Sequence, residues 1–202
     1  QTEASMKQTS NRTDTRIDRR TNGKKVTCAF LLGLLTTGCG QAEVDVLCAD
    51  YFSTGDIAGY EAVGDRFVRH SESGVLWYRC AVGQRFEGNK CVGELSLASG
   101  EEATAAIAGF ADQIGVDATA WTLPNQSDYA TITNEACHTP KVNVQAFPQA
   151  GTGYYLAAGE GKADNLACGV RFADGVSSCV ISKRTPRPLM MVKKGQELAA
   201  RE

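Results

Sequence analysis

Apolar and polar positions divide this chain into stretches of different kind. Residues 1–25 are polar and basic, and 26–35 form an apolar run, Val-Thr-Cys-Ala-Phe-Leu-Leu-Gly-Leu-Leu, that ends in Thr36-Thr37-Gly38-Cys39. Beyond it, strand-like and helix-like periods follow one another. Residues 66–70 and 75–80 read as two strands joined by the turn Ser71-Glu72-Ser73-Gly74. Ser99 with Glu102 has the form of a capping box, and Ala103, Ala106, Ile107, Phe110 and Ile114 then share one helical face until Gly115 stops it. Asn125 with Asp128 repeats the capping logic for a second helix over residues 126–136. Short strands are expected at 142–147, 154–158, 168–172, 179–182 and 189–192, with Asp174-Gly175 as a turn. Residues 41–64, punctuated by Gly55, Gly59 and Gly64, fit either a tether or a first strand. Strands and helices in this order predict an α+β domain.

The apolar run at 26–35 is about half the roughly twenty residues that a spanning helix needs. With a basic stretch before it and small residues after it, it predicts an export signal over residues 1–38. Leu35-Thr36-Thr37-Gly38-Cys39 resembles a bacterial lipobox displaced by one position. That resemblance implies Cys39 as the lipidated first residue of the mature chain, and Gly40 after it implies outer-membrane sorting. The alternative is cleavage near Ala42, giving a periplasmic or secreted product. The expected layout is a removed signal over 1–38, a lipidated N-terminus and tether over 39–64, a domain over 65–194 and a charged tail over 195–202.

Outside the leader and Cys39 there are six cysteines, and an even number in an exported chain predicts three disulfides. Spacing selects among the fifteen pairings that six cysteines allow. Cys80–Cys91 and Cys168–Cys179 close equal short loops, which leaves Cys48 for Cys137. A two-residue turn at Asp174-Gly175 would place Cys168 opposite Ile181, so the second pair requires a bulge or a longer loop.

Charge changes the picture in one place. The 202 residues carry a formal net charge of −2, but residues 1–25 hold seven Lys/Arg against three acids, and the chain from Cys39 onward holds fourteen basic against twenty acidic residues. An acidic body is a poor match for nucleic acid. Within it, Lys183, Arg184, Arg187, Lys193 and Lys194 fall in twelve residues without an acid. Arg grips sulfate or carboxylate through a planar fork, so this run is a candidate anion-binding surface. Tyr154 and Tyr155, after a Gly-rich loop, are the candidate aromatic contacts, whereas Trp77, Trp121 and Phe147 sit in apolar or turn contexts and read as core. No catalytic set is expected. His70 and His138 are the only imidazoles, and Cys137 beside His138 is needed as a disulfide half. Cysteine spacing does not suit zinc. Asn125, Asp128, Asp164 and Asn165 are the oxygen donors to consider for calcium, with Asn125 and Asp128 read as a helix cap. Neither metal nor cofactor is therefore expected.

The ordered set of motifs resembles the Lcl C-terminal domain family. The residues are Ser73-Gly-Val-Leu-Trp-Tyr-Arg-Cys80, Gly83-Gln84, Gly88 and Cys91-Val-Gly93, then a helix, Trp121-Thr-Leu-Pro124, Asn143, Ala146-Phe-Pro148, Tyr154-Tyr155, Val170-Arg-Phe-Ala-Asp-Gly175 and a strand ending near Lys194. The resemblance implies a C-type lectin-like fold, two helices packed on twisted antiparallel strands, in an exported adhesion domain. Adhesion in that family includes binding of sulfated glycans, so the expected ligand is an anionic glycan or a protein; the alternative is a structural or assembly lipoprotein of the envelope that contacts proteins only. On this chain that ligand surface would be Tyr154, Tyr155, Lys183, Arg184, Arg187 and Lys193.

Overall fold

The computed structural model describes residues 46–194. The leader, the lipobox with Cys39 and the tail from residue 195 lie outside the described residues. Among the described residues there are three short helices, α1 (Cys48–Tyr51), α2 (Ala103–Gln113) and α3 (Gln126–Ala130), with a 3-10 turn at Ala118–Ala120. They accompany antiparallel strands in four small sheets. Strands β1 (Tyr60–Val63), β2 (Phe67–His70) and β3 (Leu76–Tyr78) lie side by side, and β11 (Val192–Lys193) closes that sheet beyond β3. Strands β4 (Arg85–Glu87) and β5 (Lys90–Val92) form a hairpin, and β6 (Leu97–Ala98) pairs with β10 (Arg187–Pro188). The last sheet has the order β7 (Tyr154–Ala157), β8 (Leu166–Arg171), β9 (Val176–Ser182). The class is α+β, with few helices, antiparallel sheets and three disulfides.

Residues 46–64, expected as a tether, belong instead to the fold. Cys48 is bonded to Cys137, its N–H donates to the His138 carbonyl at 2.9 Å, and β1 pairs with β2 along its whole length. The first-strand alternative is the correct one for Tyr60–Val63.

The strands separate two cores because successive side chains point to opposite faces. Trp77, Tyr155 and Met190 enter one core with Tyr129, Phe147 and Phe172. Tyr78, Leu156 and Met191 enter the other with Ile107, Phe110 and Trp121. A sheet covered on both sides has little room for extra atoms. A Cβ on Gly169 would lie 2.6 Å from Ile181 Cδ1 and 2.8 Å from the Tyr155 carbonyl oxygen.

The helices depart from expectation at their ends. Ser99 and Glu102 do interact, but the Ser99 N–H and hydroxyl both donate to the Glu102 carboxylate, at 3.0 and 2.7 Å, and α2 begins at Ala103 without a side-chain cap. The Asn125/Asp128 capping box forms in full. Its helix stops at Ala130 rather than 136. The Thr131 and Thr133 hydroxyls turn back to helix carbonyls, and Asn134 N–H is taken by the Lys141 carbonyl at 2.9 Å, so competing partners replace the next helical turn. The strand expected at 142–147 is a turn: the Asn143 side-chain oxygen accepts from the N–H groups of Gln145 and Ala146.

All three disulfides join the pairs that spacing selected. The Cys168–Cys179 register problem is solved by the longer loop. Arg171 pairs with Val176, so the connection is four residues, 172–175, and this register carries Cys168 to Cys179; a bulge between Ala167 and Gly169 shifts the β8–β9 register beyond it.

Candidate functional site

The six residues expected to form one ligand surface do not stay together. Tyr155 leaves it altogether. It is 2% exposed, its ring stacks on Phe172 at 4.3 Å, and its hydroxyl accepts from the Gly151 N–H at 2.9 Å. The reason is the strand period: Tyr154 and Tyr155 are neighbours on β7, so only one of them can face outward. Lys193 sits on β11 opposite Leu76, in a different sheet from Arg187, while Lys183 and Arg184 lie in the turn after β9. Lys194 beside it is 3.4 Å from the Asp128 carboxylate.

Lys183, Arg184 and Arg187 remain neighbours because all three meet the segment 98–102. The Lys183 carbonyl accepts from the Gly100 N–H at 2.9 Å, and Arg187 lies opposite Ala98 in the β6–β10 pair. Lys183 and Arg184 share a shallow depression of about 260 Å³ with Ser99, Glu101 and Glu102. Here the cations have acidic company. Lys183 Nζ is 3.7 Å from Glu101, and the two hydrogen bonds from Ser99 hold the Glu102 carboxyl below the usual carboxylate range.

Arg187 is in a different position. Its guanidinium lies 5.5 Å from the centre of the half-buried Tyr154 ring, and Arg171 lies 5.6 Å from the same ring. Cation–ring contacts of this length are favourable. Arg171 is closed off by Asp174, which accepts from both its Nε and its Nη2. The Asp174 carboxyl is thereby held down and the Arg171 guanidinium up from their ordinary values. Arg187 has no such partner: no salt bridge reaches it among the described residues, and its Nε is buried without a hydrogen bond. An unmatched guanidinium on an aromatic ring can receive a carboxylate or sulfate.

Beside this segment opens a cleft of about 750 Å³ that the sequence did not reveal. Gly100, Thr104, Thr122 and Lys183 line it, and the loop 158–164 forms its far wall. Across Thr104, Thr122 and Leu123 it continues into a more apolar groove of about 400 Å³ that reaches Trp121. A trace of the wall was present in the spacing of Gly159 and Gly161. A Cβ on Gly159 would stand 3.1 Å from the Cys168 sulfur, and one on Gly161 would overlap the Leu166 carbonyl at 2.1 Å. These glycines therefore let the loop press onto β8. Its N–H at Lys162 also donates to the Cys179 carbonyl at 2.9 Å.

Among the described residues no helix is long and apolar enough to cross a membrane. The family model that describes the Lcl C-terminal domain matches residues 66–193. No curated protein and no solved structure matches the chain.

Proposed function

We propose, from the premise that the chain belongs to the Lcl C-terminal domain family, that it is an exported adhesion module of lectin-like architecture. It binds rather than catalyses, and its ligand is a glycan that carries an anionic group. Lipid attachment at Cys39 and residence at the outer membrane belong to the same reading. The observation that carries it is Arg187: a guanidinium without an ion-pair partner among the described residues, resting on Tyr154, with Lys183 and Arg184 on the same segment. Three disulfides support an oxidising compartment.

The test is retention of the oxidised protein on a sulfated or carboxylated polysaccharide column. The expected result is retention that salt weakens and that Arg187→Gln reduces more than Lys193→Gln does. Retention unaffected by Arg187→Gln overturns the assignment. Lipidation is read separately, as the acyl mass on a mature chain that begins at Cys39.

One observation favours a second reading, a protein ligand. Strand β9 is the edge of its sheet, carries no charge from Val176 to Ser182, and exposes Val176 and Val180. Uncharged edges are ready to pair with another strand. A defined protein that co-purifies with the chain and is lost with Val180→Lys would support it.

A further inference from the structure

The cleft beside Arg187 has a chemical character of its own. Its volume of about 750 Å³ lies within the range of sites that hold small organic ligands, roughly 300–1,000 Å³. Two cations, Lys162 and Lys183, line it together with two carboxylates, Glu160 and Asp164, and Lys183 also lies 3.7 Å from Glu101 at its edge. Neither Glu160 nor Asp164 is in a salt bridge among the described residues. Thr104 adds a hydroxyl and Thr122, whose hydroxyl donates to the Leu123 carbonyl at 3.1 Å, adds an acceptor, so the lining residues offer donors and acceptors with as many cations as carboxylates.

This balance excludes two ligand classes. A phosphate or sulfate placed here would meet two unpaired carboxylates. An apolar ligand would strip water from charged groups and return no hydrogen bonds. A neutral ligand dense in hydroxyl groups satisfies both kinds of wall atom. The wall is also held in place before any ligand arrives. Loop 159–165 is fixed by Lys162 N–H to the Cys179 carbonyl at 2.9 Å, by Leu166 N–H to the Ala163 carbonyl at 2.9 Å, and by Lys183 N–H to the Asn165 carbonyl at 3.0 Å. Preorganisation of this kind lowers the cost of binding.

We infer that this cleft binds a neutral saccharide unit. The inference rests on the glycan reading and deepens it. Arg187 lies opposite Ala98, and Gly100, two residues on, lines the cleft, so one glycan can place an acidic group on Arg187 and its neutral neighbour in the cleft.

The experiment is amide-shift mapping by NMR on the oxidised protein. The probes are maltotriose, cellotriose, mannotriose and N,N′,N″-triacetylchitotriose at about 10 mM, enough to populate a site with a Kd near 1 mM. A glycylglycine control is run in parallel. At least one trisaccharide should shift Gly100, Thr104, Thr122 and the amides of 157–164. Ala163 is exposed on the cleft wall, so Ala163→Trp should plug the site without disturbing the core. It should weaken that saccharide by at least about tenfold while leaving retention on the anionic polymer in place. If no trisaccharide moves these amides while polymer retention persists, the inference falls and the glycan reading stands. If the dipeptide moves them and the sugars do not, the ligand class is wrong. If neither sugars nor polymer bind, both readings fall.

Discussion

The guanidinium of Arg79 lies 4.0 Å from the centre of the Phe86 ring. It is 9% exposed and has no carboxylate partner among the described residues; its Nε donates to the Ala146 carbonyl at 3.0 Å, Nη2 to Gln145 and Nη1 to Asp65. One side chain just past the end of β3 thus ties that point to the turn at 143–147, to the β1–β2 connection and to the β4–β5 hairpin. Burial pushes its pKa down from the ordinary arginine value. Arg79→Met should cost about 3 kcal/mol, because it leaves buried carbonyl oxygens without donors. Arg79→Lys should recover only part of that, since an ammonium cannot span three acceptors. Urea unfolding of the two variants checks both values.

The disulfides should rank by the loops they close. Cys48–Cys137 spans 89 positions and the other two span 11 each. In the chain-entropy picture, removing the long link costs about 4.5 kcal/mol and removing either short one about 3 kcal/mol. Paired Cys→Ser variants followed by denaturant unfolding give the order. Equal losses for the long and the short links would contradict it.

Removal of Cys168–Cys179 should also have a local signature. The Cys168 sulfur contacts the Glu160 carbonyl at 3.3 Å, and the Cys179 carbonyl holds Lys162. Hydrogen exchange in the paired Ser variant should rise across 159–165 while β2 and β3 stay protected. Uniform exchange throughout the domain would show that the link serves the whole fold instead.

Gly169→Ala should destabilise by about 2–3 kcal/mol, since the added methyl meets the Tyr155 carbonyl, which cannot retreat. The same change at Gly109, where a Cβ meets nothing within 4 Å, should stabilise helix α2 by about 0.5–1 kcal/mol. Thermal melts of the two variants should therefore move in opposite directions.

Four phenols, Tyr78, Tyr129 and Tyr155 buried and Tyr60 half-buried, make the fold sensitive to alkali. Desolvation raises the pKa of each above the ordinary value near 10. The unfolded chain loses these protons first. Stability is thus fully present below about pH 10 and falls as pH climbs toward the folded values, by about 1.4 kcal/mol per pH unit for each phenol in that window. Urea midpoints between about pH 9 and about pH 11 should drop steeply, and Tyr60→Phe should make the drop shallower. An unchanged slope in Tyr60→Phe would remove that residue from the account.

Much of this architecture was legible where a residue's choice is local. The turn at Gly74, the Asn125/Asp128 cap and the stop at Gly115, with its φ of 73°, each follow from a few neighbouring side chains. Cysteine pairing was legible because two equal short spacings leave one solution. The failures lie where distant segments compete. Nothing near Asn134 announces that Lys141 will take its N–H. Tyr154 and Tyr155 look alike in sequence, and only the packing of Phe172 decides which one is buried. The basic run looked continuous because its residues are close along the chain; the buried stretch Leu189, Met190 and Met191 separates Lys183, Arg184 and Arg187 from Lys193 on β11. The cleft was invisible because four separated segments build it.

The link between Cys48 and Cys137 also determines how the domain responds to traction. A pull applied ahead of residue 48 passes through sulfur directly to residue 137. The intervening residues, including β1 to β5 and helix α2, then carry no tension. If the other end is held at β11, only the stretch after residue 137 can be drawn out, and Cys168–Cys179 shortens that reach again. Traction at that end would thus bypass the β1–β2 ladder and fall on the strands that follow residue 137.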